Sequence, residues 1–176
     1  EDLFLKASMS LDKVNPSSLS KFGIGRSLLK KERYSDAIEY FKQAGSMAET
    51  RQGKENAYKY TALTYLTIKQ YSNAKTYALK MLESNSSSAE AYMIIGDAYL
   101  YGASSVGETE CTQGGGYWAA IDKYQKAKSL DSSLTDKANK KIASCQSQFP
   151  KKESCFFENI VDGQAYHVGG WINEDV

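Results

Sequence analysis

With 176 residues, 41% of them hydrophobic, the chain suits one folded domain with a real core rather than a disordered segment. Lys plus Arg is 22 against Asp plus Glu at 21, and a net charge of +1 gives no electrostatic reason to expect nucleic acid or an acidic membrane surface as partner. No run approaches the roughly 18 apolar residues needed to span a bilayer, and the opening EDLFLKAS carries no basic-then-apolar leader, so any signal peptide is expected to have been removed already.

In chain order, residues 1–17 start with the apolar Leu3, Phe4 and Leu5. Phe4 and Ala7 stand 37 residues before Phe41 and Ala44, as though residues 1–13 were the second helix of a repeat whose first helix is missing. The segment YSDAIEYFKQA (34–44) then returns as YSNAKTYALKM (71–81) and YWAAIDKYQKA (117–127). Aligned on Ala37, Ala74 and Ala120, the copies place Tyr34, Tyr71 and Tyr117 three residues before and Phe41, Ala78 and Tyr124 four after, which is one face of a helix. Upstream of each copy lies a second matched segment, KFGIGRSLL from Lys21, YKYTALTYL from Tyr58 and YMIIGDAYL from Tyr92, so each repeat reads as a helix pair. Small residues Gly25, Ala62 and Gly96 mark where the first helix of a pair approaches the second.

Between the helices of the third pair, SSVGETECTQGGG reads as a mobile, Gly-rich loop over about 103–116 that lacks the GxxxxGK[ST] order of a phosphate cradle. Beyond it, Leu134, Ala138, Ile142, Cys145 and Phe149 form the apolar stripe of an amphipathic capping helix over 134–149, closed by Pro150. Residues 150–176, with aromatic and β-branched residues broken by DG and GG, read as two short strands or extended segments folding back on the helices.

These residues resemble the tetratricopeptide repeat, whose pattern of Trp/Tyr, Leu, Gly/Ala and Tyr, then Ala, Phe/Tyr and Ala, matches Tyr92, Ile95, Gly96, Tyr99, Ala120, Tyr124 and Ala127. The second repeat fits through Tyr58, Ala62, Tyr65, Tyr71 and Ala74. The first fits through Ile24, Gly25, Leu28, Tyr34, Ala37, Phe41 and Ala44. The first two units are 37 residues apart, where the family norm is about 34. The resemblance implies an all-α, right-handed helix-pair solenoid over 1–149, with repeats at about 18–51, 55–88 and 89–133, a capping helix and a short extended or β tail. It also implies a non-catalytic scaffold that binds a peptide or partner protein along its first helices. By register the outward positions are Phe22, Arg26 and Leu29, then Lys59, Leu63 and Leu66, then Met93, Asp97, Leu100 and Tyr101. Family members that grip a C-terminal carboxylate use Lys and Asn, and here the Asn-equivalent places hold Arg26, Leu63 and Asp97, so that clamp is absent.

The ending GQAYHVGGWINE (163–174) looks like that of exported tetratricopeptide-repeat proteins of Bacteroides-type bacteria. That likeness implies the periplasm or outer envelope, where oxidising conditions would allow a Cys145–Cys155 disulfide. A buried thiol at Cys145 fits its place on the apolar stripe equally well. Glycan binding is the alternative function, with Trp118, Tyr101 and Trp171 as spare stacking faces. No catalytic constellation, cofactor motif or metal-ligand spacing is visible: the single histidine, His167, lies near Cys155 with nothing to orient a nucleophile–base pair.

Overall fold

The computed structural model describes residues 2–161 and 163–176. It comprises helices α1 (Asp2–Val14), α2 (Ser18–Lys30), α3 (Tyr34–Met47), α4 (Arg51–Thr67), α5 (Tyr71–Ser84), α6 (Ala89–Gly102), α7 (Glu110–Leu130), α8 (Thr135–Gln146) and α9 (Lys152–Phe156), with strands β1 (His167–Val168) and β2 (Glu174–Asp175). The chain forms two compact units, Glu1–Ser86 and Ser87–Val176. Each packs successive helices as antiparallel neighbours joined by short turns: α2 on α3 and α4 on α5 in the first, α6 on α7 in the second.

The turns inside the first two pairs are copies of one another. Glu32 and Lys69, 37 residues apart, both take a left-handed backbone (φ 57° and 59°). The following amides, on Arg33 and Gln70, donate back to the Leu28 and Tyr65 carbonyls at 3.0 and 2.9 Å. This is the six-to-one closure that stops a helix and turns the chain back. At the other ends, Ser17 caps α2 in a reciprocal box with Ser20, and the Thr50 hydroxyl accepts from the Gly53 amide to cap α4.

Within a pair, the glycine of the first helix and the aromatic of the second share one volume. A Cβ built on Gly25 would lie 2.7 Å from the Phe41 ring, and one on Gly96 would lie 2.6 Å from the Tyr124 ring. In the middle repeat the same register positions hold Ala62 and Ala78, both fully buried, so a larger residue on one helix accompanies a smaller one on the other.

The segment expected to be a Gly-rich loop is helix. Residues 110–116 form the first two turns of a 21-residue α7, opened by a Thr109–Thr112 capping box. Its three glycines are a packing seat. A Cβ on Gly114 would meet Pro150 at 2.8 Å, on Gly115 Tyr166 at 2.8 Å, and on Gly116 Ala103 at 2.8 Å. Local composition favoured a loop, and packing of the tail against this surface selects the helix instead.

In the capping segment, α8 ends at Gln146, before the expected Phe149. Ala138 and Cys145 are fully buried, Leu134 and Ile142 half-buried, and Phe149 turns out beyond the helix end to meet Trp118 edge-on at 6.3 Å. The tail includes the short α9, which helical periodicity did not signal, before an antiparallel hairpin pairs His167 with Asp175 and Val168 with Glu174. Reciprocal 2.9 Å bonds between Tyr166 and Val176 extend it. Val168 and Ile172 are fully buried. The Trp171 indole lies edge-on to Tyr99 at 5.7 Å and donates to the Ser105 hydroxyl at 3.1 Å. Glu174 accepts from the Tyr99 hydroxyl at 2.5 Å and pairs with Lys123 at 2.5 Å, so an acidic tail residue joins α6 to α7.

Candidate partner-binding face

In the first unit, α2 and α4 lie side by side, and three rings join them. Phe22 sits edge-on to Tyr60 at 5.1 Å, and Phe41 from α3 closes the group at 5.5 Å from Phe22 and 5.4 Å from Tyr60. Phe22 and Tyr60 are half-buried while Phe41 is fully covered, so the first two form the floor of a surface held from beneath. Arg26 is exposed, with its guanidinium 6.0 Å from the Tyr60 ring centre, an arrangement that fixes a cation over an apolar floor. Leu63 is 38% exposed one helix over, whereas Leu29, Lys59 and Leu66 are half-buried. Of the six expected positions of α2 and α4, Arg26 and Leu63 are therefore the exposed ones on this candidate face.

That face runs into a cleft of about 590 Å³ at the start of both helices, lined by Leu19, Phe22, Met47, Thr50 and Asn56 among others. Sequence reasoning missed Leu19 and Asn56. Leu19, 80% exposed, stands three residues before Phe22 on the same helical face, and extending the register by one turn would have found it.

The third repeat does not present its expected positions in the same way. Met93 is buried at 3% exposure, because Met93, Ile94 and Ile95 are covered in succession and α6 has no solvent-facing side at that level. Asp97 accepts a 2.7 Å hydrogen bond from the Tyr124 hydroxyl and pairs with Lys141 of α8 at 2.9 Å. The same ammonium donates to the Tyr101 hydroxyl at 2.7 Å. Burial and the Asp97 carboxylate push the Tyr124 hydroxyl well above the usual phenol range. The capping helix thus engages Asp97 and Tyr101, while Leu100 is half-buried beside it.

The cysteine pairing is also corrected. Cys111, at the start of α7, is bonded to Cys155 in α9, and Cys145 is a free, fully buried thiol pushed up to about 11 by burial. Cys145 faces inward along the α8 stripe, whereas α9 lies against the first turn of α7, so the partner of Cys155 comes from the segment expected to be loop. With Cys155 in a disulfide and His167 bonded through Nδ1 to Asp175 at 2.7 Å on the exposed hairpin, the two do not meet as a nucleophile–base pair. Among the described residues, no group of three or more His, Cys, Asp or Glu is placed to hold a metal ion. Trp118 stands edge-on to Tyr166 at 5.7 Å and borders a separate cleft of about 510 Å³ with Ile121, Asp122, Phe149 and Gln164.

No protein-family model matches the chain, and no curated protein matches it. Solved structures do. The first tetratricopeptide domain of Spaghetti (RPAP3), bound to the HSP90 peptide SRMEEVD, is similar with a TM-score of 0.59 at 15% identity, over 74% of this chain and 91% of that one. A crystal structure of MamA gives 0.57 at 19% identity, covering 82% of this chain and 85% of the other. MamA residues 41 to the end from Desulfovibrio magneticus RS-1 give 0.56 at 17% identity, covering 90% and 86%. At these identities the likeness establishes the fold: this chain is built of tetratricopeptide-type helix pairs.

Proposed function

We propose that the chain is a non-catalytic interaction scaffold that holds a peptide or a helix of a partner protein on the α2–α4 face. The observation that carries this is the Phe22–Tyr60 floor, supported by Phe41 and edged by exposed Leu19, Leu63 and Arg26. Apolar anchors with a fixed cation suit an extended peptide or an amphipathic helix bearing a carboxylate. Spaghetti (RPAP3), similar in fold, is known in complex with a peptide, which supports a peptide ligand here. The Cys111–Cys155 disulfide supports an oxidising compartment, in keeping with the envelope location that the tail resemblance implies.

The test is selection of a displayed peptide library on the native chain, followed by affinity measurement on Leu63→Asp and Arg26→Glu. Both side chains are exposed, so the variants keep their circular dichroism and melting profile. Selected peptides are expected to lose at least about tenfold in affinity, or roughly 1.4 kcal/mol. Peptides that bind both variants at full strength would remove this face.

A second reading, glycan binding, is favoured by the cleft beside Trp118, where Tyr166, Asp122 and Gln164 add a ring and hydrogen-bonding groups. Tyr101 and Trp171, the other expected stacking faces, are engaged by Lys141 and by Tyr99 with Ser105. Titration calorimetry with oligosaccharides, wild type against Trp118→Ala, decides it: no heat in either would end this reading.

A further inference from the structure

Gly114, Gly115, Trp118, Ile121 and Asp122 follow one another at spacings of three and four along one side of α7. The two glycines leave room for the tail: a Cβ on Gly114 would meet Pro150, and one on Gly115 would lie 2.8 Å from the Tyr166 ring. Tyr166 therefore rests about one turn from Trp118, with ring centres 5.7 Å apart and planes at 86°. Phe149, next to Pro150, stands 6.3 Å from the same indole at 81°. Trp118 and Tyr166 are half-buried, Phe149 is 43% exposed, and all three border the cleft of about 510 Å³. The Cys111–Cys155 disulfide and the reciprocal bonds of Tyr166 with Val176 hold the tail in place, so the rings are set before any ligand arrives.

Charge decides what the rings suit. Among the described residues that line the cleft, Asp122 carries the one charged side chain. Partial burial pushes its carboxyl up from the ordinary value, Lys123 pulls it down and Glu174 adds to the rise, while Lys123 is itself paired with Glu174 at 2.5 Å. Burial and the Glu158 carboxylate likewise push the Tyr166 hydroxyl up. The unit as a whole is acidic, with twelve Asp and Glu against eight Lys over 87–176. Aromatic faces are the negative ends of ring quadrupoles, and a carboxylate beside them makes a seat for a cation. The remaining walls select among cations. Apart from Asp122, only Gln164 and Tyr166 bring polar side chains, and Ile121, Ile160 and Val161 bring none. A sugar or a protonated amine would set O–H or N–H groups against these apolar walls, whereas a fully alkylated ammonium has no donor to satisfy.

We propose that the cleft bordered by Trp118, Tyr166 and Phe149 binds a quaternary ammonium group, its charge held against the rings and balanced by Asp122. The site lies wholly within the second unit and does not depend on the α2–α4 face.

The probe is choline, with dimethylbutanol as the uncharged isostere in which carbon replaces the nitrogen. Proton–nitrogen correlation spectra of the full chain follow the Trp118 indole, assigned by its loss in Trp118→Phe, with the Trp171 indole as internal control. Choline is expected to shift the Trp118 signal saturably, and dimethylbutanol to bind at least tenfold more weakly. Asp122→Asn keeps the size of the side chain and removes its charge; it should melt as the wild type does and weaken choline at least threefold. Equal affinity for the isostere, full-strength binding by Asp122→Asn, or no saturable shift overturns the proposal. Saturable shifts with oligosaccharides and none with choline would overturn it in favour of a sugar. Once choline binds, phosphatidylcholine vesicles identify the source: cosedimentation that Asp122→Asn abolishes assigns the group to a lipid headgroup, and its absence assigns it to a soluble compound. Peptide selection at the α2–α4 face does not involve this cleft, so the two readings fail separately.

Discussion

Replacing Gly96 with alanine sets helix propensity against packing, and the structure decides the sign. In a helix interior alanine is better than glycine by about 1 kcal/mol, so on propensity alone the variant gains stability. The added Cβ, however, would lie 2.6 Å from Tyr124 Cε1 and 2.9 Å from both Cδ1 and Cζ. Tyr124 is fully buried and donates its hydroxyl to Asp97 at 2.7 Å, so its ring cannot yield without straining a hydrogen bond to a carboxylate. Overpacking of this kind costs about 1–3 kcal/mol, and weakening the charged hydrogen bond adds about 1 kcal/mol or more. The net expectation is destabilisation by about 1–3 kcal/mol, or a midpoint lower by several degrees in a chain of this size. Gly23→Ala is the control: it lies inside α2 with nothing within 4 Å of its Cβ, and should raise stability by up to about 1 kcal/mol. Thermal and urea unfolding followed by circular dichroism reads both. If Gly96→Ala stabilises the chain as Gly23→Ala does, the claim that Tyr124 is held against α6 is wrong.

Reduction of Cys111–Cys155 removes a cross-link across 44 residues, worth at most about 4 kcal/mol on the chain-entropy account. Reductant should therefore lower the melting point of the second unit and open residues 147–166 to protease, an effect that Cys111→Ser reproduces. Without reductant, iodoacetamide and mass spectrometry should find no labelled cysteine in native protein at pH 8 and one, Cys145, after denaturation, because burial holds that thiol up to about 11. Asp12 gives a pH signature. Burial raises its pKa, but hydrogen bonds from Lys21 and Ser20 outweigh burial and hold the carboxyl below its ordinary value. The group therefore contributes stability above its unfolded pKa and loses it as pH falls through the lowered native one. Wild type should lose more stability than Asp12→Asn between pH 5 and pH 3, by on the order of 1 kcal/mol, measured as urea midpoints.

The helix pairs were legible because their packing is written in short-range periodicity. Gly25, Phe41, Gly96 and Tyr124 recur at matched places since each must fit its neighbour across one short turn. What was not legible depends on partners far along the chain. Three successive glycines have the local character of a loop, and only Pro150, Tyr166, Val168 and Ala103 arriving from elsewhere make them a seat inside a helix. Cys111 was hidden by that same reading, and no spacing rule selects it over Cys145 as the partner of Cys155. Register showed which way Asp97 and Tyr101 point, but not that Lys141 of the capping helix would meet both.

That last difference bears on where binding resides. In the second unit the first-helix positions serve the unit itself: Met93 is buried, Asp97 is bonded twice, and Tyr101 accepts from a lysine that lies 4.8 Å from its ring centre. A partner placed there would have to displace a charged pair and a hydrogen bond already made, and an aspartate left without Lys141 in a half-buried site carries a desolvation cost. The corresponding positions of the first unit are held by ring contacts that leave Arg26 and Leu63 exposed. A ligand there covers apolar surface that water now occupies. The same repeat pattern therefore yields a self-satisfied surface where the cap adds a lysine and a more open one where α2 and α4 meet through aromatic rings, and on this balance of desolvation the latter is the face we propose for the ligand.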